Sequence, residues 1–289
     1  MPNTNVREES LAVSVDVQFW GVRDQIPTPG AKTVRFGGNT SCVEVRAGSQ
    51  RLVFDGGTGL RTLGNSLLSQ MPIEAHLFFT HCHWDRIQGF PFFVPAFIPI
   101  NHFHIYGAKA SNGSTFEQRL SQQMLGPNFP VPIQVMQSRL EFHELDSMGQ
   151  TRLGDDVVVE SAYLNIEHHS VGYRVTCEGK ALVYAMSPNC LNAASKEALV
   201  ELAQGANLLI LAAPKQDRFQ VPQAQEHLLV AEQWGNCAMI AKAAKVEKIF
   251  LSLYSPEYSD DYLDKMEAKL KLDVPQIAFA REGMTVTLV

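Results

Sequence analysis

Six consecutive residues carry the densest chemistry in this chain: Thr80-His81-Cys82-His83-Trp84-Asp85. Two imidazoles and a carboxylate within five residues offer nitrogen and oxygen donors of the kind that hold zinc, manganese or iron. They follow a short apolar run, Ala75 to Thr80, so the end of a strand would deliver all three into one cleft. The competing reading is a plain surface turn with two histidines; donor types and spacing favour the metal-type cluster. Cys82 sits inside the turn with its side chain expected to point away, and no matched base accompanies it as a nucleophile would need. Asp55, in Asp55-Gly56-Gly57-Thr58-Gly59, is expected to hold the backbone of that turn by hydrogen bonds. The glycines there permit a tight turn, and their spacing fits no nucleotide fingerprint. His102 and His104 alternate and read as one face of a strand at the surface, and His227 as a solvated or capping residue at a helix start.

Strands and helices of mixed order must position these residues. Val13 to Phe19 alternates as a half-buried strand does, a loop rich in Gly and Pro runs from Gly21 to Gly38, and Ser41–Arg46 with Arg51–Phe54 reads as a hairpin around Gly48-Ser49. Helical spacing spans Gly59–Gln70, Thr115–Met124, Ala193–Leu202, Glu226–Ala244 and Tyr258–Leu270. Further strands are expected at His102–Tyr106, Val157–Asn165, Ser170–Cys177, Ala181–Ala185, Asn207–Ala212 and Lys248–Leu253, with Gln276–Ala280 and Met284–Val289 closing the sheet. Residues 108–150, with prolines at 127, 130 and 132, read as an insertion lying over one face. Its Met124, Phe129 and Val131 would be costly to leave in water, so it is expected to cover the cleft or to meet another subunit.

The chain has 289 residues, 45% hydrophobic and 19% charged, enough for a sizeable core. No fixed-period repeat or low-complexity linker divides it. The expected organisation is a disordered N-terminus at 1–12 and one domain at 13–289, an α/β fold of two sheets face to face with helices outside, αββα. With a formal net charge of −6 and no Lys/Arg block, a nucleic-acid partner has no electrostatic support. The five cysteines form no CxxC pair, which fits reduced thiols in a cytoplasm. No signal peptide is expected at the polar N-terminus, and the most apolar run, Phe90 to Ile100, is broken by three prolines, too short to span a membrane, and reads as core.

Together, several stretches resemble the metallo-β-lactamase superfamily, in its phosphodiesterase-like and tRNase-Z-like branch. They are Gly21-Val22-Arg23 leading to Ile26-Pro27-Thr28-Pro29-Gly30, then Arg35 to Cys42, Phe54 to Arg61, Thr80 to Asp85, Ile87 to Pro91, Gly172-Tyr173-Arg174, Tyr184-Ala185 and Tyr254-Ser255-Pro256. The resemblance runs from about Val15 to Val289. It implies the four-layer αββα metallo-β-lactamase sandwich and, in active members, two metals ~3.5–4 Å apart with a bridging water or hydroxide.

Carried over position by position, the resemblance implies that His81, His83 and Asp85 match the HxHxDH turn, whose last histidine is here Arg86. The next ligand falls on Ile166, six residues before Gly172; the bridging aspartate falls on Ser187; the final histidine falls on Leu253. A further histidine often follows a Trp-Gly pair, and Asn236 follows Trp234-Gly235 here. Ile166 and Leu253 cannot ligate a cation, Ser187 is a poor bridge, and Arg86 carries a permanent positive charge where a second cation belongs. His168 and His169 lie close enough to Ile166 for a register change to present one of them. The loop at Val22, Asp24 and Gln25 departs from the small Gly/Ser-rich form of relatives and adds a carboxylate, Asp24, near the site.

Two functions follow. The first is a catalytically degenerate protein that acts by binding a small-molecule ligand or a protein partner, with no cofactor and as a possible homodimer. The second is a mononuclear hydrolase of phosphodiester or ester substrates, with one Zn, Mn or Fe ion on His81, His83 and Asp85. In the first, Arg86 stands in for the second metal and pairs with Asp85 or Asp24.

Overall fold

A computed structural model of the chain describes residues 14–145, 148–165, 169–186, 192–213, 236, 239–240 and 242–288. Two seven-stranded sheets form its centre. The first contains β1 (Val15–Gly21), β2 (Cys42–Ala47), β3 (Gln50–Phe54), β4 (Glu74–Phe78), β5 (His102–Ala108), β6 (Arg139–Leu145) and β14 (Thr285–Leu288), in the order β14-β1-β2-β3-β4-β5-β6. The second contains β7 (Met148–Leu153), β8 (Val157–Asn165), β9 (Ser170–Cys177), β10 (Lys180–Ala185), β11 (Leu208–Ala212), β12 (Lys248–Ser252) and β13 (Ile277–Phe279), in the order β13-β12-β11-β10-β9-β8-β7. Both sheets change from antiparallel to parallel pairing part-way across. In the first, pairing is antiparallel from β14 to β3 and parallel from β3 to β6; in the second, it is antiparallel from β7 to β10 and parallel from β10 to β13.

Alternation decides which residues enter the space between the sheets. β1 buries Val15, Val17, Phe19 and Gly21 and leaves the residues between them half-buried. Inner-face residues such as Phe54, Phe78, Tyr173 and Tyr184 share one core, and Phe54 and Tyr184 lie 5.1 Å apart between ring centroids. β11, paired in parallel with β10 and β12, is buried from Leu208 to Leu211 and reads as the continuous apolar run Leu-Leu-Ile-Leu-Ala.

On the outer face of the first sheet a second core gathers α1 (Gly59–Leu67) and α3 (Phe116–Gln122). α1 buries Leu60, Leu63 and Leu67, the spacing of one helical face. Thr115 caps α3 by accepting from the Gln118 N–H at 3.1 Å, and the Gln118 side chain accepts from the Thr115 N–H at 3.0 Å. Over the second sheet lie α4 (Ala193–Ala203), with Leu199 and Leu202 buried, and α5 (Asp260–Asp273), with Leu263 and Leu270 buried. The architecture is the expected αββα sandwich. Among the described residues, no helix is long and apolar enough to cross a membrane.

Two expectations need correction. The last two strands do not close one sheet: β13 ends the second sheet and β14 pairs with β1 in the first. Residues 108–150 hold two strands that periodicity did not reveal, β6 at the edge of the first sheet and β7 at the edge of the second. Only about 109–138 lies outside the sheets, and its Met124, Phe129 and Val131 are covered by the outer core of the first sheet, where the Phe92 and Phe129 rings meet at 5.7 Å. The apolar run after Phe90 is core in part: Phe90, Phe93 and Ala96 are buried, while Phe92, Val94 and Ile100 face outward. The N-terminal segment 1–12 and most of the helix expected at Glu226–Ala244 lie outside the described residues.

Candidate metal centre

The carboxyl ends of the parallel strands of both sheets converge on the His-rich turn, the usual place for a site in such sheets. β4 leads into Phe79 and Thr80, and the second sheet holds this exit in register. Val171 N–H donates to Thr80 O at 2.9 Å, and Tyr173 Oη donates to Phe79 O at 2.5 Å. From the other side, the chain after β1 docks on the chain after β12: Tyr254 N–H donates to Val22 O at 2.9 Å and Asp24 N–H to Tyr254 O at 3.0 Å.

His81 is buried and His83 exposed, and their rings meet edge-on at 4.3 Å between centroids. Donor atoms of His81, His83 and Asp85 all lie within 4.8 Å of one another. Thr80 Oγ1 stands 2.9 Å from His81 Nδ1, which orients the ring. A short helix, α2 (Trp84–Ile87), begins here and carries Asp85 and Arg86 inward, both buried.

Arg86 is fully buried and faces three carboxylates. Its Nη1 lies 2.9 Å from Asp85 Oδ2, its Nη2 3.3 Å from Asp24 Oδ1, and its Nε 3.6 Å from Asp55 Oδ2. Burial opposes the charge of Arg86, but Asp85, Asp55 and Asp24 together raise its pKa above the ordinary arginine value. The pairing with Asp85 and Asp24 was the expected arrangement; the contact with Asp55 was not.

Asp55, in the left-handed region at φ 59°, secures the turn as its loop suggested. Its Oδ1 accepts from the Thr80 N–H at 2.8 Å and from Thr80 Oγ1 at 2.9 Å. Its Oδ2 accepts from Tyr184 Oη at 3.0 Å, and Ser41 Oγ and Tyr184 Oη are 2.7 Å apart. Tyr184 anchors the resemblance by its place in the sequence; its hydroxyl also reaches across the inter-sheet space to the site. Burial pushes the Asp55 carboxyl up to about 6, against the opposing pull of Arg86 and of Thr80.

Between about pH 4 and 6 the folded protein holds a proton on Asp55 that the unfolded chain has released, so this group makes the fold lose stability as pH rises through that window. Asp55→Asn, which suits the left-handed backbone, is expected to flatten the melting temperature between pH 4 and 6.5 relative to the parent. Parallel slopes in thermal melts would count against a raised Asp55.

The other carried-over positions divide as follows. Leu253, where the resemblance puts a final histidine, is fully buried in the inter-sheet core. The expected strand Lys248–Leu253 stops at Ser252, and Leu253 turns into the left-handed region at φ 62°, a conformation that costs a bulky residue ~1–3 kcal/mol. Asn236 is buried, and its Oδ1 accepts from Lys196 Nζ at 3.1 Å. His169 stacks edge-on against Tyr163 at 5.9 Å between centroids and is in none of the donor clusters among the described residues. Ile166, His168, Ser187 and His227 lie outside the described residues. Cys82 packs toward the outer core as expected, and burial pushes its thiol up to about 11, protonated at neutral pH.

A single divalent ion fits the donors of His81 and His83. One oxygen of Asp85 also faces Arg86 Nη1 at 2.9 Å and accepts from the Gln25 N–H at 3.2 Å. No protein-family model matches the chain. Ribonuclease Z of Pyrococcus horikoshii is 30% identical over 139 residues, a match spanning 46% of this chain and 42% of that protein's length. Among solved structures, a metallo-β-lactamase fold protein from Bacillus subtilis superposes with a TM-score of 0.65 at 16% identity, covering 96% of this chain and all of that one. The short form of human tRNase Z does so with a TM-score of 0.62 at 18% identity, covering 94% of this chain and 98% of that one. Strand order, the position of the His-rich turn and these superpositions agree: the chain has the metallo-β-lactamase fold, with hydrolases among its structural relatives.

Proposed function

We propose that this chain is a catalytically degenerate metallo-β-lactamase-fold protein, which binds a small-molecule ligand or a protein partner in place of dinuclear hydrolysis. The observation that carries the reading is the Arg86 guanidinium, buried among Asp24, Asp55 and Asp85 at 2.9–3.6 Å. Three carboxylates gathered at one point call for positive charge. Where the relatives' motif has a ligand histidine, this chain supplies a fixed cation from its own sequence. Leu253, apolar and buried, supports the same reading from the opposite sheet.

A second reading is favoured by the convergence of His81, His83 and Asp85 donors within 4.8 Å: one Zn, Mn or Fe ion there would polarise a phosphodiester or ester oxygen. Asp85 would then serve both the ion and Arg86. Incubation with zinc or manganese and bis(4-nitrophenyl) phosphate separates the two. The proposal expects nitrophenolate release no faster than from a His81→Ala/Asp85→Ala variant. Release that requires His81 and saturates at one metal per chain would establish the mononuclear hydrolase and overturn the degenerate reading.

A further inference from the structure

His102 and His104 do not simply face solvent. The parallel register of β4, β5 and β6 sets Glu74 beside His102 and Arg139, and His76 beside His104 and Glu141. Tyr106 lies beside Phe78 and His143 in the next row. Because side chains alternate, all of these occupy the inner face of the first sheet. Glu74, His102 and Arg139 open the three strands, with His104 and Glu141 third and His143 fifth of seven in theirs, whereas the His-rich turn follows the carboxyl end of β4.

His104 Nδ1 lies 3.1 Å from Glu141 Oε2 and 3.2 Å from His143 Nε2. Donors bound to one zinc at ~2.0–2.1 Å in a tetrahedron stand ~3.3 Å apart; His104 Nδ1 has that spacing to both other donors, and all three lie within 4.8 Å of one another. On the other side of the same ring, His104 Nε2 lies 3.3 Å from Glu74 Oε1. A neutral imidazole has one N–H, yet His104 has acceptors against both nitrogens, and a further imidazole competes at Nδ1. A bound cation at Nδ1 resolves that conflict and leaves the proton at Nε2 for Glu74. This is the usual arrangement of a ligating histidine with a carboxylate behind it. Arg139 pairs with Glu141 Oε1 and fixes that carboxylate from outside. The His104 and Glu141 side chains retain 15% and 29% of their exposure, so an ion can enter from solvent.

We propose that His104, Glu141 and His143 bind one divalent transition-metal ion of the zinc class, at a site separate from the His81–Asp85 turn, clamping edge strand β6 to β5. Imidazole and carboxylate donors in this combination suit zinc, nickel or copper(II) over magnesium or calcium.

The test uses the full chain with His81→Ala and His83→Ala, so that the turn cannot contribute. Zinc titration by calorimetry, with elemental analysis after dialysis, is expected to give one equivalent with a micromolar or tighter Kd. Adding His104→Gln and His143→Gln is expected to weaken binding at least ~100-fold. Cobalt(II) should give visible absorption bands with the first variant and none with the second. If the four-fold variant fails to fold, judged by circular dichroism, His143→Gln alone on the edge strand replaces it with the same expectation. No uptake by the first variant, or unchanged affinity after the glutamine substitutions, would overturn the proposal.

Discussion

Arg86→Ala is expected to cost ~3–5 kcal/mol, because it leaves buried carboxylates without their cation. For a chain of this size that corresponds to a fall in melting temperature of roughly 10 °C. Asp24 and Asp55 are 1% exposed and Asp85 6%, so water cannot replace the guanidinium without opening the turn. The loss should depend on pH. At pH 5, where carboxylates that have lost their partner take up protons more readily, Arg86→Ala should recover a good part of the difference seen at pH 7.5. Asp24→Asn in the Arg86→Ala background should recover part of it at pH 7.5, since it removes one of the negative charges that face the guanidinium in the parent. A melt of Arg86→Ala that coincides with the parent at both pH values would show that the guanidinium is not compensating these groups.

The second large effect concerns the glycine after the turn. Gly89 packs backbone to backbone against the Asp55-Gly56-Gly57 loop: its N–H donates to Gly56 O at 2.9 Å, while Gly56 N–H donates to Arg86 O at 2.6 Å. A Cβ on residue 89 would stand 1.9 Å from Gly57 O, a backbone atom that cannot swing aside. Gly89→Ala is therefore expected to destabilise by ~3 kcal/mol, the upper part of the usual range for overpacking. It should also loosen Arg86, because the two loops hold α2 in place. Chemical denaturation measures the first effect. Faster amide hydrogen exchange at residues 84–89 measures the second, and native exchange there would contradict the coupling.

Much of this was legible before any coordinates. β8 and β9 have the expected boundaries: β8 buries alternate residues over its first half, and β9 is buried continuously from Ser170 to Tyr173 before it alternates. The charge at Arg86 could be read from the turn pattern, because its neighbour Asp85 lies in the same turn and Asp24 in a loop that departs from its relatives. Its third partner was less visible. Asp55 stands 31 residues from Arg86, and only the parallel pairing of β3 with β4 brings their loops together. The same limit hid the second cluster. Alternation places His102 and His104 on one face, but sequence does not say that β4 and β6 flank β5 in parallel, or in which register. A strand such as β6, with its half-buried edge residues Leu140 to Leu145, lacks the clean apolar period that marks β11. Leu253 was expected to continue a strand because its side chain is apolar. Its left-handed backbone follows from the docking of Tyr254 on Val22, which is a tertiary contact.

If Arg86 stands where a second metal would bind, the protein holds one zinc at the turn at most. Elemental analysis of zinc-loaded, dialysed protein tests it most directly, provided the second cluster is silenced by His104→Gln and His143→Gln. No more than one zinc per chain is expected in that protein, and none after His81→Ala. Two zinc ions per chain, both lost on His81→Ala, would contradict it.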